Sequence, residues 1–385
     1  MAAQRLDVIA PFHVMALLAR ARQLEAEGRS IVHMEIGEPD FVSPDPIVEA
    51  GIKALRDGRT HYTPALGLPE LRAAIAGHYQ ARFGVHIDPE RIIVTPGASG
   101  ALQLIVAALV DPGKEVLLAD PGYPCNRNFV HLYNGVPVPV PVDAADDYQL
   151  NAGLLARYWS DNSVAAMLAS PSNPTGTVLH RDGFTALLDA VRQRKGTLIV
   201  DEIYQNLCYQ HQPWTALELG DDLFVLNSFS KYFGMTGWRL GWLVAPEAYI
   251  ESLDNLAQNI FLAAPTLAQY AALAAFNDDT LAILEQRRLE FQARRDYLMP
   301  ALQSLGFEIA RVPEGAFYLY ADISRFSNDS FAFTNALLEQ AGVAITPGID
   351  FGEHRAAQHV RFAYTTSLEQ MQIGVERIQT FVNAV

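Results

Sequence analysis

From residue 91 to residue 244 the chain alternates between short runs that are almost wholly apolar and longer stretches with helical spacing. The runs are residues 91–95 (RIIVT), 115–120 (EVLLAD), 163–170 (SVAAMLAS), 197–201 (TLIVD), 223–228 (LFVLNS) and 240–244 (LGWLV), with helix-like stretches such as 101–110 and 181–194 between them. A strand with no polar face cannot lie on a solvated surface. Such strands, alternating with helices, predict an α/β architecture whose mostly parallel sheet is covered by helices on both sides. This block spans residues 45–280 and reads as a large domain. A long helical pattern follows over 278–305. The chain then turns to an α+β pattern, with strand-like 315–322, a helix near 331–341, strand-like 359–364 and a last helix from Leu368. Residues 281–385 are therefore expected to form a smaller α+β domain, joined by residues 1–44. In that N-terminal part, Val14, Leu17, Leu18, Ala21 and Leu24 have helical spacing, and 35–46 (EIGEPDFVSPDP) reads as a loop.

Half of the 385 residues are apolar and 18% are charged, which is enough for a sizeable core. Lys and Arg number 28 against 43 Asp and Glu, a formal charge of −15. That sign repels phosphate backbones and anionic membranes and argues against nucleic-acid partners. The two cysteines, Cys125 and Cys208, suit a reducing compartment and give neither a disulfide framework nor a cysteine-based zinc site. The longest apolar stretch, 261–276, is too short to span a bilayer and is broken by Pro265 and Gln269. Asp7 and His13 spoil any signal-peptide core near the N-terminus, so the expected location is the cytoplasm.

Ligands of open α/β sheets bind beyond the carboxyl ends of the strands. Those ends carry, in order, Pro96-Gly97-Ala98-Ser99-Gly100 opening a helix, Pro121-Gly122-Tyr123-Pro124, Ser172-Asn173-Pro174-Thr175-Gly176, Asp201-Glu202-Ile203-Tyr204, and Asn227-Ser228-Phe229-Ser230-Lys231. Each alone has a bland reading. The glycine turn lacks both the Gly-Lys-Ser/Thr of a P-loop and the GxGxxG of a dinucleotide site. Tyr123 alone is packing, Asn-Pro-Thr-Gly a turn, Asp201 a helix cap, Lys231 a surface lysine, and Arg239 an ion-pair residue. Together they are more demanding. A lysine beside hydroxyls, with Arg239 eight residues on, suits an anionic ligand held next to an amine. An acid on another strand end suits a heterocyclic nitrogen that must stay protonated. Those needs describe pyridoxal phosphate: an aldehyde for the lysine, a phosphate for the arginine and a pyridine nitrogen for the acid.

At this point Ser228-Phe229-Ser230-Lys231 with Gly237-Trp238-Arg239-Leu240-Gly241 resembles the cofactor-lysine signature of the class I/II pyridoxal-phosphate-dependent aminotransferases, the fold-type-I enzymes related to aspartate aminotransferase. The resemblance runs through Ile36-Gly37-Glu38-Pro39-Asp40-Phe41, His61-Tyr62-Thr63-Pro64, Gly67-Leu68-Pro69-Glu70-Leu71-Arg72, Ser172–Gly176, Asp201–Tyr204, Pro313-Glu314-Gly315-Ala316-Phe317-Tyr318 and Arg361, in the family's order. It implies that Lys231 forms the Schiff base and moves the proton at the substrate Cα. Asp201 would pair with the pyridinium nitrogen. Asn173 and Tyr204 would bond the phenolic oxygen, and Tyr123 would stack on the ring. Ser228, Ser230, Arg239 and the amides of Ala98 and Ser99 would hold the phosphate, with Tyr62 reaching the phosphate of a partner subunit. Arg361 would clamp the substrate α-carboxylate, helped by the backbone of Gly37, and Asn173 would border the same substrate site. The implied unit is a homodimer with composite sites, acting on an L-α-amino acid and a 2-oxo acid in ping-pong half-reactions.

Two departures bear on the substrate. One branch of the family places a lysine in the helix-start segment against a distal carboxylate, and here that segment is Gly97-Ala98-Ser99-Gly100. Another branch uses a partner-subunit arginine, and the nearest position here is Gln258, followed by the apolar 260–264. A dicarboxylate specialist is therefore not expected. The same motifs would also serve a β-lyase, decarboxylase or synthase on this scaffold. A non-catalytic cofactor-binding regulator is the less expected alternative, since such regulators usually carry an extra DNA-binding domain and this chain has neither the length nor the positive charge for one.

Overall fold

The computed structural model describes residues 3–9, 12–209 and 214–384. Helix α1 (His13–Ala26), a two-residue strand β1 (Val32–His33), α2 (Asp45–Arg56) and α3 (Pro69–Phe83) precede the main sheet. Its strands are β2 (Ile92–Thr95), β3 (Glu115–Asp120), β4 (Val136–Pro141), β5 (Ser163–Ala169), β6 (Thr197–Asp201), β7 (Phe224–Ser228) and β8 (Gly241–Val244), in the order β2-β8-β7-β6-β5-β3-β4. β8 runs antiparallel to both neighbours, and the remaining pairs are parallel. Helices α4 (Gly97–Leu109), α5 (Pro124–Leu132), α6 (Ala152–Tyr158) and α7 (Arg181–Gln193) connect the parallel strands.

The apolar runs behave as their lack of a polar face demands. In β6, Ile199 packs into one core cluster while Leu198 and Val200 pack into another; Val225 divides from Phe224 and Leu226 in the same way on β7. Side chains alternate across a strand, so both sheet faces are dry. β4 escaped the sequence reading because its VPVPVP stretch looks strand-breaking. It sits at the sheet edge. The Val136 amide donates to Lys114, while proline, with no N–H to offer, suits the side that has no neighbour.

Beyond the sheet come α8 (Ile250–Ile260), α9 (Thr266–Ala272) and α10 (Asp278–Leu305), the last with the bounds its periodicity predicts. Asp278 and Asp279 occupy the first turn of α10, where the helix dipole favours negative charge, and Gly306 ends it at φ 99°. The C-terminal part holds β9 (Tyr318–Asp322), α11 (Ser330–Ala336), β10 (Val343–Ala344), β11 (Thr346–Pro347), β12 (His359–Ala363) and α12 (Leu368–Val382). β11, β12 and β9 form an antiparallel sheet, and β1 pairs in parallel with β10. Among the described residues, no helix is long and apolar enough to cross a membrane.

Candidate active site

The carboxyl ends of β3, β5, β6 and β7 face the C-terminal part across a cavity of about 270 Å³. Gly37, Ala98, Ser99, Tyr123, Asn173, Asp201, Tyr204, Ser228, Ser230, Lys231, Arg239 and Arg361 all line it. These are the sequence-derived candidates with one exception. Tyr62 is 83% exposed and lies in a separate surface cleft that also holds Gln258 and Leu262.

Lys231 lies three residues past the end of β7, and its Nζ donates to the Gly37 carbonyl at 2.6 Å. Burial lowers its pKa to about 8; Arg361 and Arg239 push in the same direction, against the pull of Glu38 and Asp201. Asp201 ends β6. Burial raises its carboxyl to about 6, opposed by the Ile203 amide at 3.0 Å and by the charge of Lys231. The cavity thus holds an amine poised to shed its proton and an acid that needs a cationic partner.

The opposite end is built for an anion. Ser228 and Ser230 hydroxyls lie 2.8 Å apart, and Arg239 Nη1 donates to the Thr236 carbonyl at 3.0 Å. Gly97 opens α4 at φ 70°, and a Cβ there would stand 2.8 Å from Arg239 Nη2. Only glycine lets the guanidinium approach this helix start, where backbone N–H groups are free for a phosphate. This donor set fits pyridoxal phosphate: hydroxyls, a guanidinium and helix amides for its phosphate, an amine for its aldehyde, and a carboxylate for its ring nitrogen.

On the C-terminal side, β12 carries Arg361, 5% exposed. Its Nη1 donates to Asn173 Oδ1 at 2.9 Å, and its Nη2 to the Glu35 carbonyl at 2.6 Å and Thr346 Oγ1 at 3.2 Å. The rings of Tyr318 and Phe351 flank it at 4.3 and 4.8 Å. The Tyr318 hydroxyl is 2.8 Å from that of Tyr204. A Cβ on Gly37 would come 1.9 Å from the Tyr318 hydroxyl, so this approach requires glycine.

Sequence reasoning missed several wall residues. Tyr318 stood inside a quoted motif but had no role. Phe12, Val14, Met15, Thr346, Asp350 and Phe351 also line the cavity. No sequence pattern marks these six as site residues, because they reach the site from segments far apart in the chain. Asp350 anchors one such wall, its carboxylate accepting the amides of His13 and Val14, each at 2.8 Å.

Comparison with known proteins agrees with this arrangement. The model of the family described as aminotransferase class I and II matches residues 29–378. The (5-formylfuran-3-yl)methyl phosphate transaminase of Methanocaldococcus jannaschii is 37% identical over the whole of both chains. The valine–pyruvate aminotransferase of Mycobacterium tuberculosis is 36% identical over 97% of each. Among solved structures, an aminotransferase from Mycobacterium tuberculosis superposes with a TM-score of 0.97 at 35% identity, covering all of both chains. Aspartate aminotransferase from Thermus thermophilus with maleate gives 0.93 at 32% identity over 99% of each. With a lysine, an aspartate and an anion cup meeting at the strand ends, and with likeness over its full length, the chain belongs to the class I and II aminotransferases and is a pyridoxal-phosphate-dependent enzyme that transfers amino groups.

Proposed function

We propose that the substrate pair is an uncharged L-α-amino acid and a 2-oxo acid, handled by Lys231, Asp201, Tyr204, Asn173 and Arg361. The observation that carries this reading is the convergence of Lys231 and Arg361 on one cavity whose far wall is apolar. When bound, pyridoxal phosphate supplies the aldehyde that takes up the amino group and a cationic ring that accepts the electron pair left by the Cα proton. Arg361 holds the α-carboxylate, its planar fork kept in place by Asn173, Glu35, Thr346 and two aromatic faces. Lys231 Nζ, with its lowered pKa, takes the Cα proton and returns it. Asp201 would keep the cofactor's ring nitrogen protonated through a charge-assisted bond in a dry site. Tyr204 and Asn173 would bond the cofactor's phenolic oxygen, Tyr123 would cover its ring, and Ser228, Ser230, Arg239, Ala98 and Ser99 would hold its phosphate.

Phe12, Val14, Met15 and Phe351 supply the apolar wall. The cations lining the cavity are Lys231, Arg239 and Arg361, all engaged in the roles above, and Asp350 adds a negative charge. Among the described residues lining the cavity, a distal carboxylate therefore finds no free cation. The names of the relatives cover valine, aspartate and a furan phosphate, so the wall decides. Residues 45–280 are read as the cofactor-carrying domain, and 1–44 with 281–385 as the smaller one; the pairing of β1 with β10 supports that grouping. Cytoplasmic residence and a homodimer that lends Tyr62 to the neighbouring site complete the reading. A spectral half-reaction screen of the twenty amino acids tests it. Valine-like or aromatic donors lead by kcat/KM, and aspartate in first place would refute the substrate assignment.

A further inference from the structure

Three consecutive carbonyls after β1 each receive a hydrogen bond from the site or its border. Glu35 O accepts from Arg361 Nη2 at 2.6 Å and from Thr346 Oγ1 at 2.8 Å. Ile36 O accepts from Thr365 Oγ1 at 2.9 Å, and Gly37 O from Lys231 Nζ at 2.6 Å. The segment is a rail that sets the substrate clamp and the reactive amine against each other. Its first residue is unusual. The Glu35 side chain is 0% exposed, and its Oε2 has no hydrogen-bond partner. Its Oε1 meets His33 Nδ1 at 2.7 Å, and His33 Nε2 meets Glu25 at 3.2 Å.

We propose that the His33–Glu35 pair is a positioning device that fixes the Glu35 carbonyl, and through it the Arg361 guanidinium, for the substrate carboxylate. A carboxylate buried this deeply is stable only beside a compensating cation. Without one, the side chain must move toward water, and the main chain at Glu35 moves with it. Among the described residues, His33 is the only cation within ion-pair distance of the Glu35 carboxylate. Helix α1 brings Glu25, and β10 brings only Val343 and Ala344. Arg377 of α12 is held by the carbonyls of Ser30 and Gly342. The Glu35 and Glu25 contacts raise the His33 pKa to about 9, so the pair is intact at neutral pH and is lost as pH rises through that value.

The inference rests on the carboxylate role given to Arg361, and Arg361→Ala in the holoenzyme is the control. If that change leaves KM for the amino donor unaltered, the Arg361 reading fails and the positioning role is withdrawn with it. If KM rises in that control, the pair is tested by His33→Ala, assayed as holoenzyme at pH 7.5. Stranding a buried charge is expected to raise KM by about tenfold or more, with a smaller effect on kcat. His33→Ala/Glu35→Gln, which has no buried charge, recovers part of that loss. His33→Arg keeps a permanent cation and removes the rise of KM above pH 9. Wild-type KM in folded His33→Ala, or a double variant no better than the single one, would overturn the proposal. If His33→Ala does not fold, Glu35→Gln decides: an alkaline KM limb unchanged from wild type overturns the role, and its disappearance supports it.

Discussion

Burial acts on Lys231 and Asp201 in opposite directions, and each shift has its own readout. In the cofactor-free protein Lys231 has a pKa of about 8, so half of it is a free amine near that pH. Acylation of Lys231 should follow a titration centred there, ahead of ordinary lysines near 10.4. Peptide mapping across pH checks this, and borohydride reduction of the holoenzyme should label Lys231 alone. Lys231→Ala should keep cofactor in the phosphate cup and lose turnover by orders of magnitude. Asp201 is raised from 3.8 to about 6, which converts to a penalty of at most about 3 kcal/mol. The sign follows from which state holds the proton. The penalty is absent below pH 4, grows through the interval, and is complete above pH 6. Cofactor-free Asp201→Asn should therefore melt higher than wild type at pH 8 and equally at pH 4. With cofactor that advantage should shrink or vanish, because a charge-assisted bond of about 1.5–3 kcal/mol is gone. Melting curves of both forms at both pH values decide it.

At the scale of elements, the cavity wall depends on how α1 is anchored. No residue at the α1 N-cap makes a side-chain cap. The amides of His13 and Val14 are instead met by Asp350, a residue more than 300 positions away. An anion at a helix N-terminus satisfies orphan donors and complements the dipole. Asp350→Ala should destabilise α1 by about 1–2 kcal/mol, the size of a lost cap. Phe12, Val14 and Met15 then lose their seat, so KM for bulky apolar donors should rise while cofactor affinity holds. Steady-state kinetics over a series of donor sizes, with cofactor titration alongside, measures both. The edge strand β4 carries a related lesson. Its prolines are tolerated only because one side of the strand has no neighbour, a fact about sheet order that no local pattern holds.

For the whole molecule, the proposed homodimer turns on Tyr62. It is 83% exposed and shares its cleft with Leu262, itself 44% exposed, beside Gln258. In a homodimer that surface would be covered and Tyr62 delivered to the neighbouring site. Tyr62→Phe should weaken cofactor binding by about 1.5–3 kcal/mol, the range for one hydrogen bond to a charged group. Complementation is sharper. Lys231→Ala chains mixed with chains carrying a severe Tyr62 change should regain activity, because one of the two hybrid sites carries neither defect. Lys231→Ala mixed with Arg361→Ala should not, because both residues serve the same chain's site. Activity as a monomer at assay concentration would end the shared-site model.

The amino-acid sequence alone determined the sheet and the reactive groups. Runs without a polar face had to be buried on both sides, and in such a sheet chemistry gathers at the strand ends, so Lys231, Asp201, Asn173 and Ser228 were legible from position alone. Arg361 and Gly37 were legible only through resemblance, since nothing local distinguishes an arginine in an apolar strand from an ion-pair residue. Only the tertiary structure decided what faces them. Tyr318 beneath Arg361, Asp350 holding α1, and Glu35 holding Arg361 by its carbonyl all join segments remote in the chain. Such contacts arise from packing one part of the chain against another, and no periodicity within either part encodes them.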